Sequence, residues 1–222
     1  MNLGFLSDTH GYLPVIDTEF DILFHCGDIC PDFNKNAEHQ ADWFKNEFVP
    51  WLNKVPAKHK VLIGGNHDFV LQHCPKIINF LPSNCYYLQD SAVELEGYKI
   101  YGSPWTPYYY NWAFNSKKSL LGTEEDLIEK YRNIPLDTDI LITHGPPMGI
   151  LDQTIKNRCG SKALLERIEC LKQLKFHAFG HIHEAHGSFE KEKRLFINCS
   201  LSDFNNNIVN KITQINIGTP AL

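Results

Sequence analysis

No apolar run in this sequence approaches the ~20 residues that a membrane-spanning helix requires. Excess positive charge is missing too. The formal net charge is −5, so the composition calls for no nucleic-acid partner, and no basic track is evident. Lys191-Glu192-Lys193-Arg194 reads as a solvated hairpin turn. There is no Cys-x-x-Cys pair. The cysteines (Cys26, Cys30, Cys74, Cys85, Cys159, Cys170, Cys199) are odd in number and scattered, and Cys26-x-x-x-Cys30 matches neither a redox nor a zinc-finger spacing. Most read as buried apolar thiols of a reducing compartment. Met1 runs straight into a strand ending at Asp8, which leaves no room for a signal peptide. The expectation is a cytoplasmic protein without membrane contact. Repeats, linkers and low-complexity stretches are absent as well, so residues 1–222 are expected to form a single domain.

What the sequence does contain is a globular balance, with 43% apolar and 21% charged residues. It is long enough to bury a core without disulfides or a structural metal. Short apolar runs alternate with polar loops. Asn2 to Leu6 is halted by Ser7-Asp8-Thr9-His10-Gly11, Asp21 to Cys26 by Gly27-Asp28, and Lys60 to Ile63 by Gly64-Gly65-Asn66-His67-Asp68. Ala37, Ala41, Phe44 and Phe48 recur at helical spacing, with Pro50 expected to kink or end that helix. Hairpins are expected around Gly97-Tyr98 and Lys191-Glu192-Lys193, and Lys211 to Ile217 reads as a last strand. Thr123 with Asp126 has the form of a capping box opening a helix, and Leu164, Leu165, Ile168 and Leu171 mark one face of another. Ile140 to Thr143 ends at His144, and Lys175 to Phe179 ends at Gly180-His181-Ile182-His183. The fold class is α/β: two β-rich sheets packed face to face with helices outside.

Five strands thus end in loops carrying Asp, Asn or His. In layered α/β folds such ends converge on one crevice. Oxygen and imidazole donors without thiolate suit borderline divalent ions such as Mn, Fe or Zn, in two-metal centres about 3.5–4 Å apart. One carboxylate can bridge both ions, and an Asn amide oxygen adds a donor without charge. The positive surplus of such a centre suits a phosphate group.

The blocks Asp8-x-His10, Gly27-Asp28, Gly65-Asn66-His67-Asp68, His144 and Gly180-His181-x-His183, in this order, resemble the calcineurin-like metallophosphoesterases. The resemblance implies a four-layer metallophosphoesterase fold, a two-sheet β-sandwich flanked by helices. It implies that Asp8, His10, Asp28 and His183 hold a first metal ion, and that Asp28, Asn66, His144 and His181 hold a second, Mn being favoured. Asn66 and His67 would contact substrate, and His67 would protonate the leaving oxygen, with Asp68 orienting it or raising its pKa. A narrower likeness, to the metallophosphoesterase-domain-containing subfamily, lies in Gly102-Ser103-Pro104-Trp105-Thr106-Pro107 and Thr143-His144-Gly145-Pro146-Pro147. That group is similar to broad or cyclic-nucleotide phosphodiesterases. Some of its members carry glycine at the first histidine of Gly-His-x-His and are poorly active, whereas this chain has His181.

One departure narrows the substrate. Protein phosphatases of the wider family place a phosphate-gripping arginine after the Gly-Asp block, and here Asp28 is followed by Ile29-Cys30-Pro31-Asp32-Phe33. A small monoanionic diester is therefore the expected substrate, a 2′,3′- or 3′,5′-cyclic nucleotide above all. The expected reaction is hydrolysis by a hydroxide shared between the two ions. Trp105, stiffened by two prolines, is expected to wall the pocket and stack a base. A weakly active or non-catalytic binder of phosphate or a protein is the alternative from another class. A nuclease or phosphomonoesterase is the alternative among enzymes. His25 and His177 should be packed within strands, His39, His59 and His73 should lie at the surface, and His186 is a candidate for a place behind the metal ligands. The sequence carries no sign of oligomeric state.

Overall fold

The computed structural model describes residues 1–119 and 123–218. Eleven strands among them build two sheets. The first holds β1 (Asn2–Leu6), β2 (Phe20–His25), β3 (Ala57–Leu62), β4 (Cys85–Tyr87) and β11 (Thr213–Asn216), in the order β11-β1-β2-β3-β4. The second holds β5 (Ser91–Leu95), β6 (Tyr98–Ser103), β7 (Ile140–Thr143), β8 (Phe176–Phe179), β9 (Gly187–Lys191) and β10 (Arg194–Asn198), in the order β5-β6-β7-β8-β10-β9. The strands that precede the candidate loops pair in parallel: β1 with β2, β2 with β3, and β7 with β8. Their carboxyl ends therefore lie on the same side of each sheet.

Side-chain alternation explains why the two sheets meet. Ile22 and Phe24 of β2, and Ile140 and Ile142 of β7, enter one core between the sheets, together with Phe5, Val61, Ile100 and Ile197. The intervening residues face outward. Leu141 joins Leu127, Tyr131, Leu164 and Ile168 from helices α4 (Glu125–Arg132) and α5 (Lys162–Cys170). Leu62 joins Phe44, Phe48, Leu52 and Val70 on the first sheet's outer face, with helices α1 (Ala37–Trp43), α2 (Val49–Lys54) and α3 (Phe69–His73). The layers run helix, sheet, sheet, helix, as expected.

Pro50 does not end the helical segment. A π-helical turn, Phe44–Phe48, links α1 to α2 and carries the chain past Pro50, which sits in the first turn of α2. The capping box at Thr123 does not form. Asp126 accepts from the Lys117 N–H, and α4 opens after Glu124. Glu124 instead reaches α5, accepting from Ser161 Oγ and the N–H groups of Lys162 and Ala163. A carboxylate there satisfies donors that α5 would otherwise leave open. No helix among the described residues is long and apolar enough to cross a membrane.

Candidate metal centre

The five strand ends converge. Asp8 and His10 follow β1, Asp28 follows β2, Asn66 and His67 follow β3, His144 follows β7, and His181 and His183 follow β8. A parallel bridge between Ser7 and Ser200, with the Leu201 N–H donating to the Ser7 carbonyl, ties the sheets together at this end. Three donor groups result, each with ligand atoms within 4.8 Å of one another: Asp8, His10 and His183; His10, Asp28 and His67; and Asp28, His144 and His181.

Asp28 is their hub. Its Oδ2 lies 3.3 Å from His144 Nε2, 3.9 Å from His10 Nε2 and 4.0 Å from His67 Nε2. Its Oδ1 accepts from the His67 N–H at 2.7 Å. Asp8 lies 3.5 Å from His183 Nε2 and also accepts from the His181 N–H. The backbone is bent to achieve this: Asp8, His10, Asp28 and His181 all have left-handed φ values, 55°, 44°, 52° and 66°. Such geometry is uncommon away from glycine and is characteristic of functional loops.

The donor set fits metal ions. Nδ1–H of His144 donates to the Cys26 carbonyl at 2.9 Å, and Nδ1–H of His183 donates to the Asp203 carbonyl at 2.8 Å. Both rings therefore turn Nε2 toward the site, as metal-binding imidazoles do. The His144 Nε2 then faces Asn66 Oδ1 at 2.9 Å and the Asp28 carboxylate, and the His183 Nε2 faces His10 Nε2 at 3.4 Å. Acceptors crowded in this way call for a cation between them, a metal ion or a proton. Glycines keep the cradle open. A Cβ at Gly65 would strike the Asp28 carboxylate, and one at Gly180 would strike the Asp8 carboxylate.

The electrostatics agree. Burial raises both carboxyls, yet the neighbouring imidazoles outweigh it: His183 and His144 hold Asp8, and His144, His67 and His10 hold Asp28, well below the usual carboxylate range. Burial opposes charge on His144 and His183, but Asp28 lifts the former to about 10 and Asp8 lifts the latter to about 9. Burial depresses His10, and it pulls His181 to about 3 with help from the His144 charge. Without metal, protonated His144 beside Asp28 and protonated His183 beside Asp8 thus serve as substitute cations.

The hydrogen-bond partners of Asp68 and Trp105 are not the ones the sequence suggests. The Asp68 carboxylate accepts from the N–H groups of Gly65, Ile29 and Cys30, so it fastens two site loops together and makes no hydrogen bond to the His67 ring. Burial and the nearby Asp28 raise it to about 6 against those hydrogen bonds. Trp105 is held by three other partners. Its Nε1–H donates to Asp90 at 2.6 Å, its ring packs on Phe114, and the Lys130 ammonium sits 3.3 Å from its centroid. The aromatic ring beside His67 is Trp112, at 4.1 Å between centroids.

His25 is buried against Thr9 and His177 against Thr143. His39 and His73 are exposed, His59 is half-buried beside Glu96, and His186 belongs to none of the three donor groups. A contribution that the motif reading passes over comes from Gln40. It is fully buried, donates to the carbonyls of Pro31 and His67, and accepts from the Val70 N–H. Its signal was present, as a polar residue on the apolar stripe of Ala37, Ala41 and Phe44.

Residues 1–185 match the family profile described as calcineurin-like phosphoesterase. Metallophosphoesterase domain-containing protein 1 of Homo sapiens is 34% identical over 97% of this chain and 70% of its own length. A UPF0046 protein of Caenorhabditis elegans is 31% identical over 89% of this chain and 74% of its own. Among solved structures, the phosphopantetheinyl hydrolase of Mycobacterium tuberculosis superposes with a TM-score of 0.57 at 11% identity, covering 92% of this chain and 90% of that one. A dimetal phosphatase from Danio rerio gives 0.53 at 12% identity, covering 91% and 87%. At these identities the structural likeness speaks for the fold.

Proposed function

The chain belongs to the calcineurin-like phosphoesterase family, and from that premise we propose that it is a metal-dependent phosphodiesterase acting on nucleotide-type diesters. Asp8, His10, Asp28 and His183 would hold one divalent ion, and Asp28, Asn66, His144 and His181 a second, with Mn favoured over Fe or Zn. When bound, the ions would supply an activated water and neutralise charge on the phosphoryl oxygens. The observation that carries the reading is the convergence of three imidazole Nε2 atoms on Asp28 Oδ2. Two of these, on His10 and His144, belong to the two donor sets. The third, on His67, is left for proton transfer.

Each residue then has a task. Asp28 is common to both sets, so it fixes their separation. Asn66 offers an amide oxygen that adds no charge, which preserves the positive surplus facing a phosphate. His67 Nε2 delivers a proton to the departing oxygen, the step that general acids accelerate. The lack of an arginine after Asp28 favours a monoanionic diester over a dianionic monoester. Cyclic nucleotides are the diesters indicated by the resemblance in the Gly102 to Pro107 block. The purified chain, with and without Mn²⁺, is expected to hydrolyse 2′,3′- or 3′,5′-cyclic nucleotides faster than phosphoserine peptides. Faster turnover of the peptides would overturn the substrate assignment and leave the metal centre standing.

A further inference from the structure

A ring used in proton transfer is ordinarily fixed by a hydrogen bond to its second nitrogen. His67 has none. Its Nδ1 is buried without a partner among the described residues, and the Asp68 carboxylate is engaged with backbone donors. The His67 backbone is well held, with the N–H donating to Asp28 Oδ1 at 2.7 Å and the carbonyl accepting from Gln40 Nε2 at 2.7 Å. Those bonds place Cα and leave the two side-chain torsions to be set by packing.

Two rings do the packing. His10 meets His67 edge-on at 4.8 Å, and Trp112 lies across it at 4.1 Å and 41°. Trp112 is in turn anchored to the loop that carries His67. The N–H of Ala113 donates to the Asn66 carbonyl at 2.9 Å, and the indole also packs near Phe69. Lys35 Nζ sits 3.8 Å from the indole centroid and donates to the Asn111 carbonyl. The indole packs at the margin of the outer-face core rather than inside it. Ala113 and Phe114 are fully buried and fill the core, whereas Trp112 is only half-buried beside the exposed Tyr109, Tyr110 and Asn111.

We propose that Trp112 is the positioning residue for His67. Its indole takes the place of the usual hydrogen-bonded partner and sets the torsion that aims Nε2 at the Asp28 carboxylate and the departing oxygen. The proposal rests on the phosphodiesterase reading, and it predicts a defect confined to the step that needs the proton. Trp112→Leu should keep its metal content and KM. It should lose roughly tenfold in kcat for a diester with an alkoxide leaving group, a part of the 10²–10⁴-fold that general acid–base catalysis supplies. Turnover of bis(4-nitrophenyl) phosphate, whose leaving group needs no proton, should be nearly unchanged. Trp112→Phe, which retains a stacking ring and guards against a folding defect in the leucine variant, should recover most of the loss.

A second readout is independent of turnover. In the metal-free chain the indole should shift the His67 imidazole proton resonances upfield, with His67→Ala supplying the assignment, and Trp112→Leu should abolish that shift. Equal kcat losses for the two diesters, no loss for either, or His67 resonances that do not move would each overturn the role of Trp112. Failure of the unsubstituted chain to hydrolyse any diester with Mn²⁺ would instead overturn the phosphodiesterase reading, and with it the role assigned to Trp112 in that reaction.

Discussion

At the scale of single residues, the centre is a balance between two buried carboxylates and the imidazoles around them. His67 differs from its neighbours in being close to Asp28 while belonging to neither expected ligand set. His67→Ala is therefore expected to keep its metals and lose about 10²–10⁴-fold in rate on alkoxide diesters, with a smaller loss on nitrophenyl diesters. Steady-state kinetics on the two substrates, with metal content measured in parallel, checks this. The remaining imidazoles set a pH profile for the metal-free chain. Burial holds His25, His177 and His181 near 3 in the fold, against about 6.5 unfolded. Below 6.5 the unfolded chain binds more protons at these sites, so stability falls as pH drops. His144 and His183 act the other way. Their folded values of about 10 and about 9 lie above the unfolded one, so their stabilisation is complete below 6.5 and is lost as pH rises toward 9 and 10. Thermal melts in chelator should peak near pH 6.5 and decline on both sides. Metal binding must displace the protons from His144 and His183, so affinity for Mn²⁺ should rise with pH over the range where metal-free stability falls.

At the scale of elements, the site is made by strand ends that turn sharply and by glycines that leave room for carboxylates. A left-handed residue costs roughly 1–2 kcal/mol, so Asp8, His10, Asp28 and His181 together give up several kcal/mol. That is a large share of the 5–15 kcal/mol by which a domain is stable. The hydrogen bonds from Asp68 and Gln40 hold these loops against the strain. Gly180→Ala would push on the Asp8 carboxylate and Gly65→Ala on that of Asp28. Overpacking of this kind costs about 1–3 kcal/mol. Both variants should melt lower than the parent without metal. Gly180→Ala should weaken mainly the ion held by Asp8, and Gly65→Ala should weaken both, as a metal titration of each would show. The loop blocks were legible because Asp, Asn and His at strand ends interrupt apolar runs. The absence of a capping box at Thr123 was not legible, because Glu124 is drawn away to α5 and Asp126 to Lys117. Nor was the path of the chain through Pro50, which depends on a π-helical turn that no local pattern announces.

At the scale of the whole molecule, two parallel strand sets, β1-β2-β3 and β7-β8, present their carboxyl ends to one crevice, and the packing of the sheets completes it. This much followed from the order of strands and polar loops. The direction taken by aromatic side chains did not. Trp105 is marked in the sequence by its flanking prolines and Trp112 by nothing, and only the packing shows that Asp90, Phe114 and Lys130 claim the first while His67 meets the second. The partners of Asp68 are hidden from the sequence for a related reason. A carboxylate next to a histidine in sequence was free to turn to three backbone N–H groups in space. The central claim is that Asp28 is shared by two metal sites on one chain. Elemental analysis after Mn²⁺ loading and desalting tests it most directly. The account requires two ions per chain in the parent protein, with loss of both in Asp28→Asn and loss of mainly one in His144→Ala. One ion or fewer per parent chain, or full occupancy in Asp28→Asn, would contradict it.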